Sequence, residues 1–178
     1  MRRAIAPDEE CIARGAKFTC AVDWGGHSGA IWEIWDERNT IRWRYETRGN
    51  VSGRTARNPF NKPDFVVTGR DNDQEVIIRR ASFIPPVFDI IESGKVIGSI
   101  RMRSIFRNKY SIFIRGVNSW TFRMPLFTIR FYGESDAGAE VWVVVGPSKR
   151  EWNLLIKPGV KEWPLVAALA FIHNEWWN

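Results

Sequence analysis

The chain has 178 residues, 44% hydrophobic and 26% charged, an ordinary globular balance that fits one domain burying roughly two-thirds of its unfolded surface. Its net charge of +6 comes from arginine far outnumbering lysine, and it carries ten tryptophans. Arginine's planar fork suits phosphate or carboxylate, so a basic surface of this kind points to an anionic partner. Cys11 and Cys20 are too few for a disulfide framework, and no Cys/His spacing fits a zinc site.

The start, Met1-Arg2-Arg3-Ala4-Ile5-Ala6-Pro7-Asp8, has basic residues with no apolar run behind them. A secretory signal is therefore not expected, residues 1–14 read as disordered, and a cytoplasmic setting follows. Asn50-Val51-Ser52 matches a glycosylation sequon and is read as chance. From residue 18 onward the chain reads as strand after strand. Residues 18–22 form a β-rich run, followed by the loop Asp23-Trp24-Gly25-Gly26-His27-Ser28-Gly29. A unit then recurs three times, over 31–45, 65–80 and 87–101: a β-rich run, a polar turn, and a second run ending near an arginine or tyrosine. Serial hairpins are the expected result. Between the first two lies the longest loop, 50–63. Further strands are expected at 110–114, 120–123, 127–132, 141–145 and 153–156, with the turn spacing of a barrel or sandwich.

Only the C-terminus breaks the pattern. Pro158-Gly159 is a turn, and Pro164 suits the first position of a helix, where its missing N–H costs nothing. Leu165-Val166-Ala167-Ala168-Leu169-Ala170-Phe171-Ile172 is apolar on every helical face. It is also shorter than the roughly 20 residues needed to cross a bilayer. A helix at 163–177 must then be surrounded by protein, and the available container is a closed antiparallel β-barrel.

Residues 65–114 carry a family resemblance: Val87-Phe88-Asp89-Ile90, then Gly94-Lys95-Val96-Ile97-Gly98-Ser99-Ile100, the basic turn Arg107-Asn108-Lys109, and Tyr110-Ser111-Ile112. With the closing apolar helix, the chain resembles the tubby C-terminal-like superfamily, which includes tubby domains, phospholipid scramblases and the LURP-one-related proteins. The resemblance implies a barrel of about twelve antiparallel strands threaded by the C-terminal helix. In some branches it also implies membrane-lipid binding, a fold-level analogy only.

The arginines give the main functional expectation. In Ile41-Arg42-Trp43-Arg44-Tyr45 a strand puts Arg42 and Arg44 on one face, and Arg101 and Arg103 repeat the arrangement ahead of Arg107 and Lys109. If neighbouring hairpins align these faces, a cationic patch for anionic phospholipid headgroups or other phosphorylated ligands results; the plainer reading is a solvated outer face. The tryptophans are expected to pack between helix and wall, with Trp176 and Trp177 closing one mouth. Gly26-His27-Ser28-Gly29-Ala30 resembles a nucleophile elbow but lacks the strand before it and the helix after it. Asp71, Asp73 and Glu75 alternate like calcium ligands, yet Val76 and Ser82 break the EF-hand pattern, and a charged turn is expected. His173 reads as a core histidine. The expectation is a non-catalytic binding module without cofactor or metal, peripheral at the membrane rather than spanning it. The alternative is a protein-interaction scaffold without a small ligand. A lipocalin-like carrier and nucleic-acid binding are disfavoured for want of their motifs.

Overall fold

Alternation of β-branched or aromatic residues with polar ones builds the wall, because successive strand side chains point to opposite faces. The computed structural model describes residues 5–23, 31–48, 64–70, 74–103, 109–124, 129–146 and 151–177, except the side chains of Val22, Asp23, Ile31, Trp32, Trp176 and Trp177. After a short helix α1 (Glu9–Arg14) come β1 (Ala16–Asp23), β2 (Ile31–Asp36), β3 (Ile41–Arg48), β4 (Asp64–Gly69), β5 (Glu75–Phe83) and β6 (Pro86–Glu92). They are followed by β7 (Lys95–Met102), β8 (Lys109–Ile114), β9 (Ser119–Arg123), β10 (Arg130–Ser135), β11 (Gly138–Val145), β12 (Glu151–Ile156) and the helix α2 (Glu162–Trp177). Each strand pairs with its sequence neighbour, and β1 pairs with β12 to close the barrel. All pairs given by the register are antiparallel, as serial hairpins require.

The three recurring units are the hairpins β2–β3, β4–β5 and β6–β7. Ser93 and Gly94 both take positive φ (50° and 73°) at the tight β6–β7 turn, matching the right-handed twist of the strands it joins. Of the strand expected at 127–132, residues 127 and 128 lie outside the described residues, and β10 runs on past its expected end to Ser135. Gly133 within it reads poorly as strand, but a Cβ there would overlap the ring of Phe122, so the bare backbone is what lets that ring pack.

Residues 9–14 are not disordered. Asp8 caps α1, its carboxylate accepting from the Cys11 N–H at 2.7 Å. Glu9 and Glu10 occupy the first turn, where the helix dipole favours acid. Six residues with a single buried side chain, Cys11, are too few to show helical periodicity. Helix α2 starts at Glu162, so Pro164 falls third rather than first; it is still within the turn whose N–H groups have no intrahelical partner.

Every described side chain from Trp163 to Glu175 is buried. The rings of α2 meet separated parts of the wall. Trp163 stacks on Trp43 of β3 (5.1 Å, 26°), and Phe171 lies between Phe65 of β4 (5.5 Å) and Phe88 of β6 (4.6 Å). His173, fully buried, stacks on Trp152 of β12 (4.5 Å, 29°). The Trp163 indole also donates to Glu92 at 3.0 Å. This contact puts the start of α2 at the rim that holds the β6–β7 turn, here the near rim. The far rim holds the end of β7, the start of β8 and the end of β9.

Candidate functional site

Inward positions of β3, β7, β8 and β9 are apolar and buried, among them Trp43, Tyr45, Ile100, Met102, Tyr110, Ile112, Trp120 and Phe122. The intervening residues must then face outward, and this puts the sequence's arginines on the outer surface. Arg42 and Arg44 are exposed on β3, and Arg101 and Arg103 are exposed on and just past β7. Lys109 is half-buried at the start of β8, and Arg107 lies outside the described residues.

These residues do not form one patch. Strands β3 and β7 are separated by β4, β5 and β6, and Arg42 sits near the near rim while Arg103 and Lys109 sit at the far one. Alternation fixes which face a side chain takes but not how far round a barrel its strand lies. The β3 group is also largely neutralised. Arg44 pairs with Glu33 across the β2–β3 register at 3.2 Å. Arg42 faces Glu162: burial pushes that carboxyl above its usual range, and the Arg42 charge partly pulls it back. Further round, Arg48 joins Glu46 (2.6 Å) and Glu75 (2.7 Å), and Arg79 grips Asp64 (2.6 Å). Both guanidinium groups are held further toward the charged form by those hydrogen bonds. Glu75 is thus engaged by an arginine, while Asp71 and Asp73, the rest of the alternating acidic turn, lie outside the described residues.

The β7 group differs. The Arg103 N–H donates to the Lys109 carbonyl at 2.8 Å, and Lys109 stands opposite Arg123 of β9, giving a row of three cations across three adjacent strands. Arg101 is one outward position back from the rim, between Val87 and Ser111. Arg130, exposed, opens β10 at the same rim. None of these five forms an ion pair among the described residues. Sequence reading missed Arg123 and Arg130 because each is a lone arginine at a strand end, without the alternating Arg-x-Arg pattern of the others. Two exposed apolar side chains share the rim: Ile84 (93% exposed) in the β5–β6 turn and Ile129 (62%) just before β10. The cations of β7, β8 and β9 lie between them around the barrel.

The other candidate features resolve differently. Trp43, Trp152 and Trp163 pack where helix meets wall, and Trp120 donates to the buried Glu140 at 2.6 Å. The side chains of Trp176 and Trp177, the Gly26–Ala30 segment and the Asn50 sequon lie outside the described residues. Cys11 and Cys20 are buried and unbridged, and burial raises both thiols above their ordinary range. Among the described residues no group of three or more His, Cys, Asp and Glu side chains could hold a metal, and no helix is long and apolar enough to cross a membrane. Comparison with protein-family models, curated proteins and solved structures finds no match to this chain.

Proposed function

We propose that this barrel is a non-catalytic binding module for anionic phospholipid headgroups, or for phosphate groups of the same chemistry on other ligands, taken on its outer surface at the far rim. The observation that carries the reading is the row Arg103–Lys109–Arg123 with Arg101 behind it, cations across three adjacent strands that form no ion pair among the described residues. Adjacent strands stand about 4.8 Å apart, so side chains of such a row converge on one phosphate or two neighbouring ones. The lumen is not a competing site in this account. Helix α2, buried from Trp163 to Glu175 with ring contacts to β3, β4, β6 and β12, supports a filled lumen, which would leave binding to the outside. Ile84 and Ile129 favour a membrane as the source of the phosphate, because apolar tips flanking cations suit the interface between headgroups and acyl chains. The protein would then work in the cytoplasm, peripheral at the membrane. The barrel and buried helix are also what the resemblance to the tubby C-terminal-like superfamily implies, including its lipid-binding branches.

Co-sedimentation with vesicles tests the proposal. Binding to vesicles containing an anionic phospholipid, weakening steeply as salt screens the charges, is expected. Equal binding to neutral and anionic vesicles, or none to either, overturns it. Ile84→Asp with Ile129→Asp should weaken vesicle binding while leaving the affinity for soluble inositol polyphosphate unchanged. Loss of both together would place the two isoleucines in the fold rather than at the membrane.

A further inference from the structure

On the opposite side of the barrel from β5 and β6, the outer face of β10, β11, β12 and β1 is not solvated in the ordinary way. The outward residues Trp142, Val144 and Leu155 are apolar, and a tryptophan on an outer wall needs a cover. Part of that cover is the N-terminal strap. The Trp142 indole N–H donates to the Ile5 carbonyl at 2.8 Å, and Ile5, Ala6 and Pro7 wall one side of a cavity of about 420 Å³. The register orders its floor in two outward rows: Lys17, Leu155 and Trp142 in one, and Asn153, Val144 and Arg130 in the other. No carboxylate lines it, and its two charged side chains are Lys17 and Arg130, neither in an ion pair among the described residues. The Asn153 amide is engaged, accepting from Thr19 at 2.8 Å and donating to Glu151 at 3.0 Å.

We propose that this cavity binds a single-chain amphipathic anion, a medium-chain carboxylate in chemical class, with its tail against Trp142, Val144 and Leu155 and its charged group at Arg130. Its volume lies in the range of small-ligand sites, and an apolar lining with few polar groups is the usual composition of one. The lining selects a hydrocarbon tail, and the two cations select against a cationic head. Arg130 takes the carboxylate because its planar fork matches two oxygens and because it is exposed beside Val144, itself 38% exposed, so that the cavity opens there. Lys17, also exposed, stands on the far side, three strand spacings or roughly 14 Å away, and acts only through its field. The headgroup reading rests on the cations of β7, β8 and β9 with Ile84 and Ile129, so the two sites adjoin at Ile129 and Arg130 but share none of the cations Arg101, Arg103, Lys109 and Arg123.

Calorimetric titration of the full chain with decanoate, decanol and decyltrimethylammonium tests it. Decanoate should bind at least about tenfold more tightly than decanol, the ratio expected of one charge-assisted hydrogen-bonded pair, and the cation should not bind. Arg130→Ala should cost about tenfold and Lys17→Ala less than about threefold. Val144→Asp, on an exposed face where the barrel stays folded by circular dichroism, should abolish binding, and Val144→Trp, which fills the cavity without charge, should do the same. Arg101→Ala with Arg103→Ala should leave decanoate affinity unchanged, so failure of either site is distinguishable from failure of the other. Absence of decanoate binding, equal affinity for decanol, or a larger loss from Lys17→Ala than from Arg130→Ala overturns the proposal. A gain in affinity on removing residues 1–4 would identify that segment as the occupant and overturn it too.

Discussion

Leu169 lies near the middle of α2 and is 1% exposed, with Ala168 and Ala170 beside it fully buried. Truncating it to alanine removes a packed isobutyl group and should cost about 2–5 kcal/mol, depending on how far the wall relaxes. Leu169→Asp costs more. At neutral pH the new carboxyl must either ionise without a partner or stay protonated, which raises its pKa by about 3–5 units. At about 1.4 kcal/mol per unit that is roughly 4–7 kcal/mol, added to the lost packing. The sum approaches or exceeds the roughly 5–15 kcal/mol that holds a domain of this kind folded. Urea unfolding followed by circular dichroism should therefore show a graded loss for Leu169→Ala and little or no folded Leu169→Asp at pH 7. The sign of the pH effect follows. An aspartate whose folded pKa is raised destabilises as pH rises above its unfolded value near 3.9, so part of the loss should be recovered toward pH 4. A Leu169→Asp protein as stable as the parent at pH 7 would refute the placement of α2 in the barrel's interior.

Other expectations follow from packing and burial. Gly133→Ala puts a methyl into the fully buried Phe122 ring and should cost about 1–3 kcal/mol by urea unfolding, with Phe122→Leu restoring part of it. Burial holds the Cys20 thiol and the Tyr45 phenol neutral in the folded barrel, pushing both well above the ordinary range of a thiol and a phenol. The unfolded chain loses those protons first, so thermal stability should fall as pH rises past about 9, and Cys20 should resist iodoacetamide until denaturant is added. The bidentate Arg79–Asp64 pair is exposed at the arginine, so Arg79→Ala should change stability by no more than about 1 kcal/mol despite its good geometry.

The helix and the hairpins were legible because each obeys a single local rule. A run apolar on every helical face admits only burial, and Ser93-Gly94 between two β-rich runs admits only a tight turn. The residues that alternation turned outward, Arg42, Arg44, Arg101 and Arg103, are outward in the structure. What the sequence did not show is relative placement. Arg44 meets Glu33 and Arg103 meets Lys109 because of strand register, and Lys109 meets Arg123 because β8 pairs with β9. No spacing within one strand encodes those meetings. The β10–β1 cavity was invisible for the same reason. Its floor is assembled from four strands, two of them at opposite ends of the chain, and its wall is a strap with no periodicity of its own. The N-terminal helix escaped notice because its one buried side chain, Cys11, looks like any small polar residue in an acidic segment.

The central claim is that binding depends on the far-rim cations and not on basic charge in general. Two variants with equal loss of charge separate these: Arg101→Ala with Arg103→Ala, and Arg42→Ala with Arg44→Ala. Their affinities for anionic vesicles should be compared at one salt concentration. The account predicts at least about a tenfold loss for the first pair, since each unpaired cation contributes roughly 1 kcal/mol near an anionic surface, and a several-fold smaller loss for the second, whose Arg44 is already spent on Glu33. Equal losses from the two pairs would mean that net charge alone drives the interaction, and would contradict the site.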